Sequence, residues 1–165
     1  MNDFLFPWRA FCISVLAGAL VAGCAAPSAP PPPPPVKAPP SCQAAAGGDA
    51  LIGNWLSVRK QQGVAGELRT LFTLNPDGTM SYTEQLKRGK KPSQGLSETG
   101  CWMRDGQTLV LQTLLSNGEP VNLDDPIYTN RYAIVKTGGQ EFSLRDDEGA
   151  AIRAKRMSPG YRLPF

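Results

Sequence analysis

The chain has 165 residues, with 17 Lys and Arg against 14 Asp and Glu, a formal charge of +3. That balance is too mild to point to nucleic acid, whose recognition needs a dense basic surface. There is no histidine, so neither a Ser-His-Asp nor a Cys-His arrangement can be built from this chain alone, and zinc sites lose their commonest ligand.

Phe11 to Val21 is an apolar run, shorter than the ~20 residues a helix needs to cross a bilayer. It reads as the apolar region of a signal sequence, with Arg9 as the positive flank and Asp3 weakening it. The run ends on Val21-Ala22-Gly23-Cys24. That tetrapeptide resembles the lipobox of bacterial lipoproteins, whose cysteine carries a diacylglycerol. The resemblance implies a lipoprotein signal peptide at 1–23 and lipidation at Cys24, with palmitate among the acyl chains. Each buried methylene adds about 0.8 kcal/mol, so several chains together bind almost permanently. Ala25 and Ala26 are not the Asp that retains such proteins in the inner membrane. The resemblance therefore implies a lipid anchor in the bacterial outer membrane, with the folded part facing the periplasm. The alternative is an ordinary secretory signal with an incidental cysteine.

Residues 24–41 hold the cysteine and a proline-rich tether; 26 to 40 contain no run able to bury apolar surface. Such a stretch prefers polyproline II at about 3.1 Å per residue and acts as a spacer of roughly 45 Å. A docking site for a proline-reading groove is the alternative. With Cys12 in the signal and Cys24 acylated, Cys42 and Cys101 remain in an oxidising compartment and are expected to pair. Closing that loop would stabilise the fold by roughly 4 kcal/mol on the chain-entropy estimate. A zinc or redox role for the two cysteines lacks both histidine and CxxC spacing.

From residue 42 to 165 the chain reads as one β domain. Gly53 to Arg59 is a first strand. Leu68, Thr70, Phe72 and Leu74 alternate with Arg69 and Thr73; Pro76-Asp77-Gly78 turns; Met80, Tyr82, Glu84 and Leu86 resume the alternation. After the basic loop Arg88 to Gly95, Leu96 to Met103 and Thr108 to Gln112 flank Asp105-Gly106. A long loop containing Asn117-Gly118 and Asp124-Asp125-Pro126 precedes a strand from Tyr128 to Val135. Gly138-Gly139 and Asp146-Asp147-Glu148-Gly149 then join Phe142 to Arg145 and Ala151 to Arg156. Eight antiparallel strands joined mainly by hairpins predict an all-β, up-and-down barrel, with a β-sandwich as the alternative.

Gly53-Asn54-Trp55, the Asn75-Pro76-Asp77-Gly78-Thr79 hairpin and Gly100-Cys101-Trp102 together resemble small bacterial lipocalin-like domains of the calycin type. That resemblance implies that Trp55 lies across the barrel floor, packed by an arginine from the last strand. Arg156 matches by position, on one face with Ile152 and Ala154. The competing reading is two buried tryptophans and a solvated arginine. If Trp102 faces inward, Cys101 faces outward, where a bridge to Cys42 would join the end of the tether to the outer wall.

The same alternation puts Phe72, Leu74, Met80, Tyr82, Leu109, Leu111, Tyr132, Ile134, Phe142 and Leu144 inside, with Glu84, Asn130 and Arg156 as polar companions. Phe72, Tyr82, Glu84, Trp102, Asn130 and Tyr132 are the candidate ligand-facing residues. Whether they line a cavity or a filled core stays open, because an eight-stranded interior can be packed by its own side chains. Lys87, Arg88, Lys90 and Lys91 form the strong charge cluster, a candidate contact for anionic headgroups or simply a solvated loop. Acidic runs at Asp124-Asp125 and Asp146-Asp147-Glu148 sit in turns, where carboxylates are common for conformational reasons. The expectation is no enzyme, no cofactor, no metal and no nucleic acid. Two function classes stand. One is a tethered module binding a small apolar or amphipathic ligand. The other is an envelope interaction module or protease-inhibitor-like barrel with a filled core.

Overall fold

A computed structural model describes residues 40–60, 63, 65–89 and 94–163. The expected signal peptide at 1–23, Cys24, nearly all of the expected tether at 24–41, Lys90 and Lys91 lie outside the described residues.

Alternating apolar and polar residues form the strands β1 (Gly53–Arg59), β2 (Glu67–Leu74), β3 (Thr79–Lys87), β4 (Gln94–Asp105) and β5 (Thr108–Ser116). They are followed by a two-residue β6 (Glu119–Pro120), a single 3₁₀ turn at Pro126–Tyr128, then β7 (Thr129–Thr137), β8 (Glu141–Arg145) and β9 (Ala151–Met157). All pairings are antiparallel: β1 to β5 pair in sequence, and β5, β7, β8 and β9 continue the order. The circuit closes through β9 and β1, where Trp55 stands opposite Arg156. With β6 attached only to the end of β5, the architecture is a closed eight-stranded up-and-down barrel, and the sandwich alternative falls.

The sequence reading ended the fifth strand at Gln112 and placed Asn117-Gly118 in a long loop. Instead β5 runs on to Ser116, and Asn117 and Gly118, at φ 49° and 88°, make a tight turn into β6. Asn-Gly accepts two successive positive φ values, which suits a hairpin turn. The register slips at Thr99/Gly100 and at Ile134/Lys136, and such bulges bend strands and help a sheet curl into a barrel.

The interior is where the alternation places it. Phe72, Leu74, Met80, Leu109, Leu111, Tyr132, Ile134, Phe142 and Leu144 are buried in one cluster with Leu51, Trp55, Trp102, Ile152 and Ala154, and Tyr82 packs against it half-buried. Residues 158–163 lie on the outer wall. Leu163 is only 4% exposed, and Asn54 Nδ2 donates to the Ser158 carbonyl at 3.0 Å.

The barrel has two unlike ends. One gathers the segment before β1 and the short β2–β3, β4–β5 and β7–β8 turns; it is the floor. The other, the mouth, is framed by the β1–β2, β3–β4, β5–β7 and β8–β9 connections.

Candidate functional site

The floor is sealed by groups that satisfy one another. Trp55 lies fully buried and its Nε1 donates to the Leu51 carbonyl at 2.7 Å. The Arg156 guanidinium sits 4.0 Å from the Trp55 ring centroid, an arrangement that combines cation and stacking contacts. Its nitrogens also cap three carbonyls: Nε donates to Gly139 at 2.6 Å, Nη1 to Ile52 at 2.9 Å and Nη2 to Ala50 at 3.1 Å. Gly53 has φ 137°, and a Cβ there would collide with the same guanidinium. Trp102 Nε1 donates to the Asn75 carbonyl at 2.8 Å, which draws that ring to the floor.

Cys42 and Cys101 form a disulfide, and Ala45 N donates to the Pro76 carbonyl at 3.0 Å. The bridge thus ties the segment before β1 to β4. Trp102 is buried in the core and its neighbour Cys101 is half-buried and bonded to Cys42, as strand alternation requires for a bridge on the outer side.

An aromatic stack rises from the floor. Trp55 meets Phe142 at 4.8 Å, Phe142 meets Phe72 at 5.8 Å, and Phe72 meets Tyr82 at 5.3 Å and Tyr132 at 6.2 Å. The edge-to-face geometry at Phe72 is the favoured one for aromatic rings. Phe72 and Trp102, 0% and 2% exposed, are packed against protein at this level.

Above the stack the interior turns polar. Tyr82 Oη donates to Glu84 Oε2 at 2.7 Å, and Thr113 Oγ1 donates to Glu98 Oε2 at 3.1 Å. Burial pushes the Tyr132 phenol up to about 12, with Glu84 adding to the rise and Arg59 opposing it. Burial also raises Tyr82 far above the ordinary phenol range, helped by the charge and hydrogen bond of Glu84 and opposed by Arg59. Both phenols therefore remain neutral donors at physiological pH. Burial lifts the Glu98 carboxyl as well; the Thr113 hydroxyl opposes this and the neighbouring Glu84 adds to it. Asn130 is half-buried opposite Leu111.

Two atoms in this region lack a partner among the described residues: Arg59 Nη1 and Thr70 Oγ1 are buried without a hydrogen bond. Most buried polar groups in folded proteins are paired, so an orphaned pair calls for an explanation. Arg59, Thr70, Glu98 and Thr113 were not among the residues singled out from the sequence. The signal was present. If Trp55 faces inward, so do Ser57 and Arg59, and if Trp102 does, the same side of β4 carries Gly100 and Glu98.

Lys87 and Arg88 are exposed at the mouth end of β3. On the outer wall a groove of about 760 Å³ runs beneath the C-terminal segment, lined by Leu71, Thr73, Ser81, Thr83, Tyr161 and Leu163 among others. Among the described residues no three of Cys, Asp and Glu converge as metal ligands would.

No protein-family model matches this chain, and no curated protein matches it. Among solved structures it is similar to the Cpx pathway activator NlpE from Escherichia coli, at 19% identity and a TM-score of 0.39, over 68% of this chain and 49% of that one. The chain thus spans about half the length of that protein.

Proposed function

We propose that this protein is a lipid-anchored module of the bacterial envelope that holds a small amphipathic molecule by its polar end in the barrel mouth, without catalysing a reaction. The observation that carries this reading is the pair of buried, unpartnered donors, Arg59 Nη1 and Thr70 Oγ1, in a barrel whose floor is otherwise satisfied. Leaving a buried donor unmet costs about 1–3 kcal/mol, more for a charged group, and a guest with acceptor atoms would remove that cost.

Native mass spectrometry of the protein purified from its own envelope tests this. A retained small-molecule mass, lost on mild denaturation, is the expected result. A bare mature chain that also ignores added amphiphiles would overturn it. The outer-wall groove beneath the C-terminal segment favours a second reading, a protein-interaction module. A co-purifying protein, released by substitutions at Thr73 and Thr83 rather than at Arg59, would select that reading.

A further inference from the structure

The polar groups of the mouth are not scattered; they are sorted by strand. Thr70 on β2 stands opposite Ser57 on β1 and Glu84 on β3, and Arg59 lies two residues beyond Ser57 on the same face. The orphaned donors therefore belong to β1 and β2. On β3 and β4 the pattern reverses. Glu84 follows Tyr82 along the inner face of β3, and Tyr82 stands opposite Glu98 on β4, so the two carboxylates are diagonal neighbours, a separation of about 7–8 Å between such positions. Each accepts one hydrogen bond from a neighbouring hydroxyl, and none of the ion pairs formed among the described residues involves Arg59, Glu84 or Glu98.

A cation and two anions thus share one barrel mouth without closing on each other. A purely anionic guest would meet Arg59 but be repelled by Glu84 and Glu98. A purely cationic guest would suit the carboxylates but leave the guanidinium and the Thr70 hydroxyl unmet. A guest carrying both signs satisfies both sides at once. Resting on the ligand-binding reading above, we infer that the mouth selects a zwitterionic polar end, its oxyanion meeting Arg59 and Thr70 and its ammonium group meeting Glu84 and Glu98. The ammonium would also relieve the mutual repulsion that, with burial, raises the Glu98 carboxyl. Charge-assisted hydrogen bonds at both ends make such recognition specific as well as strong.

Binding of three amphiphiles with the same dodecyl chain, each below its micelle concentration, tests the inference on the intact oxidised protein by calorimetry. Dodecyl phosphoethanolamine is expected to bind about tenfold or more tighter than dodecyl phosphate or dodecylammonium. Glu84→Gln should narrow the gap to dodecyl phosphate, because the anion is then less repelled. Thr70→Val and Arg59→Gln should narrow the gap to dodecylammonium instead. The comparison of ligands on the unaltered protein needs no variant, so a misfolded substitution would not spoil it. Free phosphoethanolamine distinguishes the sources. Affinity nearly equal to that of the dodecyl compound would identify a soluble zwitterion, whereas strong chain dependence would identify a lipid-like one. Equal affinity for all three amphiphiles would overturn the head-group selectivity and leave a ligand-binding barrel. No binding by any of the three would remove that underlying reading as well.

Discussion

At the residue scale the floor depends on one arginine and one glycine acting together. Arg156 makes three hydrogen bonds to carbonyls and covers Trp55, and only a residue without a side chain leaves room for it at position 53. Gly53→Ala would impose a strained φ as well as displace the guanidinium, so a loss of about 2 kcal/mol or more is expected in urea unfolding. A variant as stable as the parent would show that the floor repacks freely. Glu98 offers a second residue-level test. Its carboxyl is raised in the folded barrel, so the folded state holds that proton more tightly than the unfolded chain does. The stability contributed by the protonated form is present at low pH and is lost as pH rises through the raised value. Glu98→Gln mimics the neutral form and can still accept from Thr113. It should therefore be more stable than the parent at pH 7, with the advantage shrinking as pH falls through the raised value and gone below the ordinary glutamate range. Paired unfolding curves across that range check the sign; an advantage that persists at low pH would rule out this origin.

At the scale of elements, the segment before β1 behaves as a ninth wall component. It carries Leu51 into the core, supplies two of the three carbonyls that Arg156 bonds and the one that Trp55 bonds, and is fastened to β4 by Cys42 and Cys101, 59 residues apart. Replacing both cysteines by serine should remove roughly 4 kcal/mol by the chain-entropy estimate, read as a lower denaturation midpoint with an unchanged far-ultraviolet spectrum. An unchanged midpoint would mean that the segment is held by its other contacts alone. The hairpins were legible in the sequence because half-buried strands alternate strictly and because Pro76-Asp77-Gly78 and Asp105-Gly106 are strong turn formers. Gly53, Trp55 and Arg156 were legible only through the resemblance to lipocalin-like domains. The mouth was harder to read. Its interior residues include charged ones such as Arg59 and Glu98, which an apolar-in, polar-out reading assigns to solvent; their inward placement comes from closure of the whole sheet. The bulge at Thr99/Gly100 likewise shifts β4 against β5 in a way no local pattern announces.

At the scale of the whole molecule, closure removes the free sheet edges that invite unwanted strand pairing, leaving β6, two residues long, as a minor appendage. The floor receives the segment that follows the proline-rich sequence, and the polar interior opens at the other end of the barrel. If Cys24 is acylated as its surrounding residues imply, Cys24→Ser should move the protein from the membrane to the soluble envelope fraction while leaving the barrel folded. Retention of that variant in the membrane would contradict the anchor.

The bond between Cys42 and Cys101 also has a mechanical meaning. Force applied through the residues before Cys42 reaches the barrel at Cys101 and bypasses β1, β2 and β3. The 59-residue interval, equivalent to roughly 200 Å of fully extended chain, cannot lengthen while the bridge is intact. Pulled between its two ends, the oxidised domain should extend by that much less than the reduced one. A module hung from a membrane by this route would keep its first three strands shielded from load, and with them Arg59, Thr70 and Glu84 of the mouth.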